Sequence, residues 1–490
     1  MSEVARYDVC VIGAGPAGFA AAVRAHDLGK RVLLVERRRV GGAGVEWGAL
    51  SSKTLWHLSN DYALACRTDR GFRAREIEVR FRDVAATVQA AVSERRELMT
   101  RQLACLGEPG PGGGVVHLRY GAARFLSPHA VEIAPEGGGR PERHEAERFV
   151  VATGSRPRVP AGIEVDGERV MTSDQIEGLA DFPESLVIVG AGVIGCEYAT
   201  IFGNFGRTRA FLIDRQPRIL PFEDDDVAAV VAANFARMGV TVHRESTLGS
   251  LRAAGGAVEY VLKGPGAPPG PLRVERALVA VGRVPNVEGL GLEAAGVALA
   301  AGGGVAVEGT RTGAPHIYAV GDVTPDLSLV NVAELEGRHA VELMYGLNPP
   351  PIHYEALSAI MFLSPEVASV GLNETQARQR GVPYRCGVVS NRLIGRNVAM
   401  RQTGGFIKLL AAREGGRLLG LRVVGPQASA AAQGVAFLIE QGATLEAIDH
   451  CVHPHPAITE GVQECARLML GKSVFKPAVF GPELLRVGEG

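Results

Sequence analysis

Short apolar runs, each bounded by glycine and charge, recur along the chain, and one arrangement of them occurs twice. Residues 7–12 (YDVCVI) have the length and the valine and isoleucine content of a buried strand. The turn Gly13-Ala-Gly15-Pro-Ala-Gly18 follows at once. An alanine-rich stretch over about 16–28 then reads as a helix, and 31–36 (RVLLVE) as a second strand. In such a unit each glycine has a task. Gly13 makes the tight turn, Gly15 lets the backbone approach a pyrophosphate, and Gly18 lets helix and strand pack closely. The helix N-terminus presents unpaired N–H groups to phosphates. Glu36, ending the second strand, is placed to take the hydroxyls of an adenosine ribose. The unit returns as strand 185–189 (SLVIV), turn Gly190-Ala-Gly192-Val-Ile-Gly195, helix 193–205 and strand 210–214, which ends in Asp214. Two complete units imply two dinucleotides, and the pairing implies a flavin and a nicotinamide placed for hydride transfer.

The intervening and following segments mix periods. A helical pattern covers 84–106, and the glycine- and proline-rich stretch 109–114 is a loop. Residues 115–125 and 130–133 read as strands with Pro128 at a turn. Residues 148–157 (RFVVATGSRP) are a buried strand running into a turn, and 277–286 (ALVAVGRVPN) repeat it more weakly. Residues 317–322 (IYAVGD) are a strand that delivers an acid at its carboxyl end. From about Pro351 the texture changes: strands at 368–371, 406–410 and 418–424 alternate with helices at 427–441 and 458–470, which makes a third domain.

The bulk properties narrow this picture. A chain of 490 residues holds two to four domains at about 100–200 residues each. Its 52 basic and 53 acidic residues leave a formal charge of −1, with no large field to attract nucleic acid or an anionic membrane. No run reaches the roughly 20 apolar residues that span a bilayer. Glu3, Asp8 and the glycine pattern speak against a signal peptide. Seven cysteines, Cys10, Cys66, Cys105, Cys196, Cys386, Cys451 and Cys465, form no C-x-x-C pair. They read as small buried hydrophobes in a reducing cytoplasm, with no structural disulfides and no metal site.

In order, GAGPAG…VE at 13–36, VATG at 151–154, GAGVIGCE at 190–197, VGRVPN at 281–286, IYAVGD at 317–322, SPEVASVGL at 364–372 and HPHPAITE at 453–460 span nearly the whole chain. This series resembles the FAD-dependent pyridine nucleotide–disulfide oxidoreductases, a family that includes dihydrolipoamide dehydrogenase, glutathione reductase, mercuric reductase and the soluble pyridine nucleotide transhydrogenase. The resemblance implies an α/β fold with two Rossmann-like dinucleotide-binding domains, for FAD and NAD(P), plus a C-terminal α+β dimerisation domain. The expected boundaries are 1–157 with 283–350 for FAD, 158–282 for NAD(P)H and 351–490 for homodimerisation. By the same resemblance Asp322 holds the FAD ribityl chain, and Gly42, Gly154, Gly282, Arg283 and Gly321 join the cofactor-binding set.

The family's usual G-G-T-C-x-x-x-x-C-x-P-S-K is altered at its centre. Here Gly44 and Ala49 stand where the two cysteines would be, and Ser51 replaces the proline. No thiolate at these positions can attack a disulfide, so reduction of lipoamide or glutathione by the usual relay is excluded. The W-G followed by S-K at 47–53 is most similar to the soluble transhydrogenase loop. By resemblance Lys53, on the first turn of a helix over 53–58, pairs with Glu197 beside the flavin N5. His455, oriented by Glu460, is the family's acid/base and reaches the partner subunit's flavin, whereas His453 reads as structural. Without thiols the dyad is either catalytic toward another substrate or a retained structural pair, and Glu46 and Trp47 would line the pocket on that side. Asp214 favours NAD, while Arg215 and Arg218 beside it favour a 2′-phosphate, so both coenzymes stay open. The reading is an FAD-dependent NAD(P)H oxidoreductase that passes electrons directly to a non-disulfide acceptor. NAD(P)+, as in transhydrogenation, comes first; a quinone or another small molecule is the alternative. A reading of another class is a catalytically retired flavin-binding subunit or sensor.

Overall fold

The computed structural model describes residues 6–109, 112–325 and 327–489. Glu3 and residues 110–111 of the expected loop lie outside them. Strand Arg6–Ile12 runs into helix Pro16–Asp27 and strand Arg31–Glu36, as the repeated pattern predicts. Both strands are almost wholly buried, because a parallel strand covered on two faces needs apolar side chains on both. They sit in a sheet with parallel neighbours Val115–Tyr120, Glu142–Val151 and Ile317–Ala319, in the spatial order 115–120, 31–36, 6–12, 142–151, 317–319. The early part of Glu142–Val151 also pairs with an antiparallel hairpin, Ala122–Ser127 with Ala130–Ala134.

The second unit builds a separate five-stranded parallel sheet from Thr241–His243, Arg209–Ile213, Ser185–Val189, Arg276–Val279 and Val170–Thr172, in that order. A small antiparallel sheet of Thr247–Ala254, Ala257–Lys263 and Pro271–Val274 packs its apolar face against it. The chain passes between these two bodies through a two-stranded ribbon, Ser155–Pro157 against Arg283–Pro285. The C-terminal part is a six-stranded antiparallel sheet, with helices Ala428–Glu440 and Glu460–Met469 packed on its strands. This is the α/β architecture expected from the sequence.

Three local expectations change. The run 115–125 is not continuous: Gly121 adopts φ +154°, and a Cβ there would meet the Ala134 carbonyl oxygen at 2.7 Å, so the chain leaves the parallel sheet and starts the hairpin. The helix that carries Lys53 is Ala49–Ala65, longer than 53–58, and Lys53 lies on its second turn. Ser51 explains the early start. Its hydroxyl accepts from Gly48 N at 3.0 Å, and the Ser52 hydroxyl donates to Gly48 O at 2.6 Å, which satisfies backbone groups at the helix N-terminus. Not all cysteines are buried. Cys10, Cys196, Cys386 and Cys465 are, but Cys66, Cys105 and Cys451 sit at or just past helix ends and are exposed.

Each glycine turn has a last glycine that admits no side chain. A Cβ on Gly18 would lie 1.8 Å from Gly13 O, and one on Gly195 would lie 1.8 Å from Gly190 O. A methyl group forced into such a contact moves backbone and costs about 1–3 kcal/mol or more. Gly18→Ala is expected to purify largely without flavin. Gly195→Ala is expected to stay yellow and lose binding of the nicotinamide coenzyme. Flavin absorbance and calorimetric titration of NAD(P)+ distinguish the two, and equal flavin content with equal coenzyme affinity would contradict the assignment of the turns.

Candidate active site

The carboxyl ends of the parallel strands and the turns after them bring the candidate residues together. Glu36 closes the first glycine turn: its two carboxylate oxygens accept from Ala14 N at 2.8 Å and Arg38 N at 2.7 Å. Asp214 does the same for the second turn, accepting from Ala191 N at 2.7 Å and Gln216 N at 2.8 Å. At the carboxyl end of the 317–319 strand, the Ser155 hydroxyl donates to Asp322 at 2.7 Å. Arg283 donates to that hydroxyl at 2.7 Å and stands 3.9 Å from the Asp322 carboxylate. Gly321 N is held by the buried Glu336 at 2.7 Å. The ribbon thus links 155, 283 and 322 at one edge of the first glycine turn. Gly42 comes close to Gly15, so two backbone segments without side chains meet there. Gly154 and Gly282 have open space where a Cβ would be. A cradle of bare backbone, acid-held turns and one arginine fits a dinucleotide with a pyrophosphate at its centre.

Lys53 and Glu197 meet as expected. Lys53 Nζ donates to Glu197 Oε2 at 2.8 Å, and Phe362 N donates to Oε1 at 3.0 Å. The Glu197 side chain is 5% exposed and that of Lys53 27%, so the ion pair is sheltered but reached by solvent on the lysine side. Lys53 Nζ also lies 5.1 Å from the centre of the Phe362 ring.

His455 and Glu460 also pair, with His455 Nδ1 2.7 Å from Glu460 Oε1 and Ala457 N donating to Oε2 at 2.8 Å. Partial burial opposes ionisation of Glu460, but the His455 and Ala457 hydrogen bonds win and hold its carboxyl below the usual range. The His455 side chain is 78% exposed. Among the described residues no hydrogen bond or ion pair joins this dyad to Lys53, Glu197 or Trp47.

The altered loop is closed around its own backbone. A Cβ on Gly44 would meet Pro16 Cγ at 2.4 Å, so the loop as built leaves no room for a cysteine there. Ala49 opens the helix. None of the seven cysteines is in a disulfide. Cys196, next to Glu197, donates to Ala191 O at 3.4 Å, and burial pushes its thiol far above the ordinary range, so it does not supply a thiolate.

Near this loop Trp47 and Glu46 line one cavity, and Glu46 is held in place besides. Its side chain is 1% exposed and is gripped by Arg96 at 3.0 Å and Arg39 at 3.2 Å. Glu177 was not singled out at all. It borders a cavity of about 400 Å³ together with Trp47, Arg39, Gln89 and Asp174. Burial raises the Glu177 carboxyl to about 7, although hydrogen bonds with the Ser51 and Tyr198 hydroxyls pull the other way. The serine in place of the loop's proline was the sequence signal for this contact. Near Asp214, Arg218 is committed to Asp225 and to Pro221 O, whereas Arg215 is exposed.

Comparison with known proteins shows the family. The family described as pyridine nucleotide-disulphide oxidoreductase matches residues 7–337, and its dimerisation domain matches 357–466. This chain belongs to that family. Dihydrolipoyl dehydrogenase 3 of Haloarcula marismortui is 34% identical over 475 residues, covering 96% of this chain and 98% of the relative. A dihydrolipoyl dehydrogenase of Bacillus subtilis is 32% identical over 496 residues, with coverages of 96% and 99%. Among solved structures, LpdA from Mycobacterium tuberculosis superposes with a TM-score of 0.86 at 28% identity, covering 95% of this chain and 100% of its own. The HOCl-induced flavoprotein disulfide reductase RclA of Escherichia coli shares the fold, with a TM-score of 0.82 at 23% identity over 94% and 100% of the two chains. Family members are FAD-dependent oxidoreductases that take NAD(P)H as the nucleotide substrate, and the dimerisation domain is consistent with a homodimer. Among the described residues no helix is long and apolar enough to cross a membrane.

Two outcomes follow from these charges. Replacing Lys53 with methionine leaves Glu197 without its cation, so stopped-flow reduction of the flavin at saturating NAD(P)H is expected to slow by about tenfold or more; an unchanged rate removes Lys53 from the site. Glu177 has a folded-state pKa raised from 4.5 to about 7, so its contribution to stability is full below pH 4.5 and is lost as pH rises through about 7. Glu177→Gln is therefore expected to show a smaller drop in Tm between pH 4.5 and 7.5 than the parent (about 1.4 kcal/mol per pKa unit removed), and identical pH profiles would contradict that placement.

Proposed function

We propose that this chain is an FAD-dependent NAD(P)H oxidoreductase whose flavin passes electrons directly to a small acceptor, with no dithiol between them. The observation that carries this reading is the loop at 41–53. It keeps the glycines and Lys53, and it has Gly44 and Ala49 at the two positions where family members carry cysteines. When bound, FAD supplies the two-electron carrier. The protein's part is to hold it and bias it. The first glycine turn and Glu36 would bind its adenosine end, and Asp322 with Ser155 and Arg283 would take its ribityl and phosphate groups. Lys53 would supply a positive charge favouring the electron-rich form. The second turn and Asp214 bind the nicotinamide coenzyme. With Arg218 tied to Asp225 and Arg215 exposed beside it, Asp214 supports use of NADH with tolerance for NADPH.

The curated relatives are named for dihydrolipoyl groups, which are dithiols. In this chain the acceptor of first choice is a second nicotinamide nucleotide, which makes the reaction a transhydrogenation. The retained His455–Glu460 dyad favours a second reading, an organic acceptor such as a quinone that takes up protons with its electrons; a carboxylate-oriented imidazole suits that proton transfer.

An acceptor screen separates these readings. Reduced anaerobically with NADH and then with NADPH, the protein is expected to bleach within seconds. It is then expected to be reoxidised by thio-NAD+ or by a quinone, with lipoamide and glutathione disulfide inactive. His455→Gln is expected to slow quinone reduction on the order of a hundredfold and to leave transhydrogenation unchanged. Turnover of lipoamide at rates like those of the other acceptors would overturn the proposal, and failure of both coenzymes to bleach the flavin would favour a retired, non-catalytic role.

A further inference from the structure

Far from the flavin cradle, a buried cluster of charges joins the nucleotide-binding body to the C-terminal sheet. Lys408, on strand Phe406–Ala412, has a side chain with 0% exposure. Its ammonium donates to Asp224 at 2.7 Å, Asp226 at 2.8 Å and Glu374 at 3.1 Å. Arg486 bonds Asp226 and Glu374, each at 2.9 Å. Beside it Arg422 pairs with Glu223 at 2.8 Å, each side chain 4% exposed. Burying this much charge is unfavourable unless every group is paired, and here each is. Burial alone would raise the Asp224 carboxyl, yet Lys408 and the Thr375 hydrogen bonds hold it down to about 2, so it stays ionised at every working pH.

The cluster grips one particular segment. Asp224 accepts from Glu374 N at 3.1 Å, Thr375 N at 2.9 Å and the Thr375 hydroxyl at 2.8 Å, and Asn373 donates to Phe222 O at 3.0 Å. Residues 222–224 are therefore fastened to the C-terminal domain by side chains and backbone alike. Two residues upstream, the buried Leu220 is held at φ +48°, a left-handed conformation that a leucine keeps only where its surroundings over-determine it. In that conformation Leu220 N donates to Ala191 O at 2.9 Å, and Glu223 N returns to Leu220 O at 3.0 Å. Ala191 lies inside the second glycine turn, and its own N–H is held by Asp214 at 2.7 Å. Both polar groups of one residue in the pyrophosphate-facing turn are thus fixed by the two ends of the segment 214–220, whose far side is bolted to another domain.

We propose that Lys408 is a positioning residue for the nicotinamide coenzyme, holding the second glycine turn in its binding geometry through Asp224 and the strained Leu220. Coenzyme affinity is then a property of two domains and not of the nucleotide-binding body alone. The C-terminal domain, which matches a dimerisation domain, then contributes to holding the nucleotide site. This inference needs only NAD(P)H as substrate and is independent of which acceptor takes the electrons.

The test uses the full-length, FAD-loaded protein. Lys408→Met and the milder Thr375→Val, which removes a single bond to Asp224, are compared with the parent. The measurements are calorimetric Kd for NAD+ and NADP+, flavin content, Tm, and the concentration dependence of flavin reduction. For Lys408→Met the Kd is expected to rise by about tenfold and for Thr375→Val by about threefold. The half-saturating NAD(P)H concentration should rise in parallel, with flavin content and limiting reduction rate unchanged. A lowered Tm with Kd within about twofold of the parent makes the cluster a purely structural clamp and overturns the proposal; so does loss of flavin in step with loss of coenzyme affinity. If Lys408→Met does not fold, Thr375→Val decides, and an unchanged Kd there overturns it.

Discussion

A carboxylate with 5% exposure cannot stand alone, and the arrangement of the active site follows from how Glu197 is neutralised. Its two oxygens are taken by Lys53 from helix Ala49–Ala65 and by Phe362 N from the C-terminal part, while Glu197 itself rides on helix Val193–Phe205 of the nucleotide-binding body. Three regions that fold around separate sheets meet at one charge. The helices bearing Lys53 and Glu197 pack side by side, so their relative register is set by the pair as much as by the apolar residues around it. A cation left partly open to solvent on one side and locked to a buried anion on the other is a fixed electrostatic element. It is fit to favour an electron-rich group next to it.

That arrangement needs no thiol in the loop, where Gly44 and Ala49 stand. The loop's glycines and the helix start are satisfied by Ser51 and Ser52, and the space beside Gly44 is filled by Pro16. Beside the loop stands a polar set built from Ser51, Glu177 and Tyr198, with Glu46 clamped between two arginines nearby. Such a set can hold and release a proton.

The sequence makes the local parts of this design readable and hides the distant ones. Both dinucleotide units were legible because their signals are short: glycines that admit no Cβ, an apolar strand on each side, and an acid about twenty residues on. The Lys53–Glu197 pair spans 144 positions and became visible only through the family resemblance. Ser51 in place of proline marks only one side of the Glu177 contact, and Lys408 has no signal at all, because nothing in periodicity or spacing marks a charge that becomes buried when distant segments meet, 184 residues apart for Lys408 and Asp224. Helix ends misled in a different way. Cys66, Cys105 and Cys451 fall where a helix stops and the chain turns to solvent.

The most direct test of the central claim is the electron capacity of the purified holoenzyme. Under anaerobic conditions, stepwise addition of dithionite or NADH is followed by flavin absorbance and by free-thiol count. An enzyme without a redox disulfide takes up about two electrons per FAD and gains no thiols. Uptake of about four electrons per FAD, with two new thiols per chain, would show a working disulfide and contradict the account.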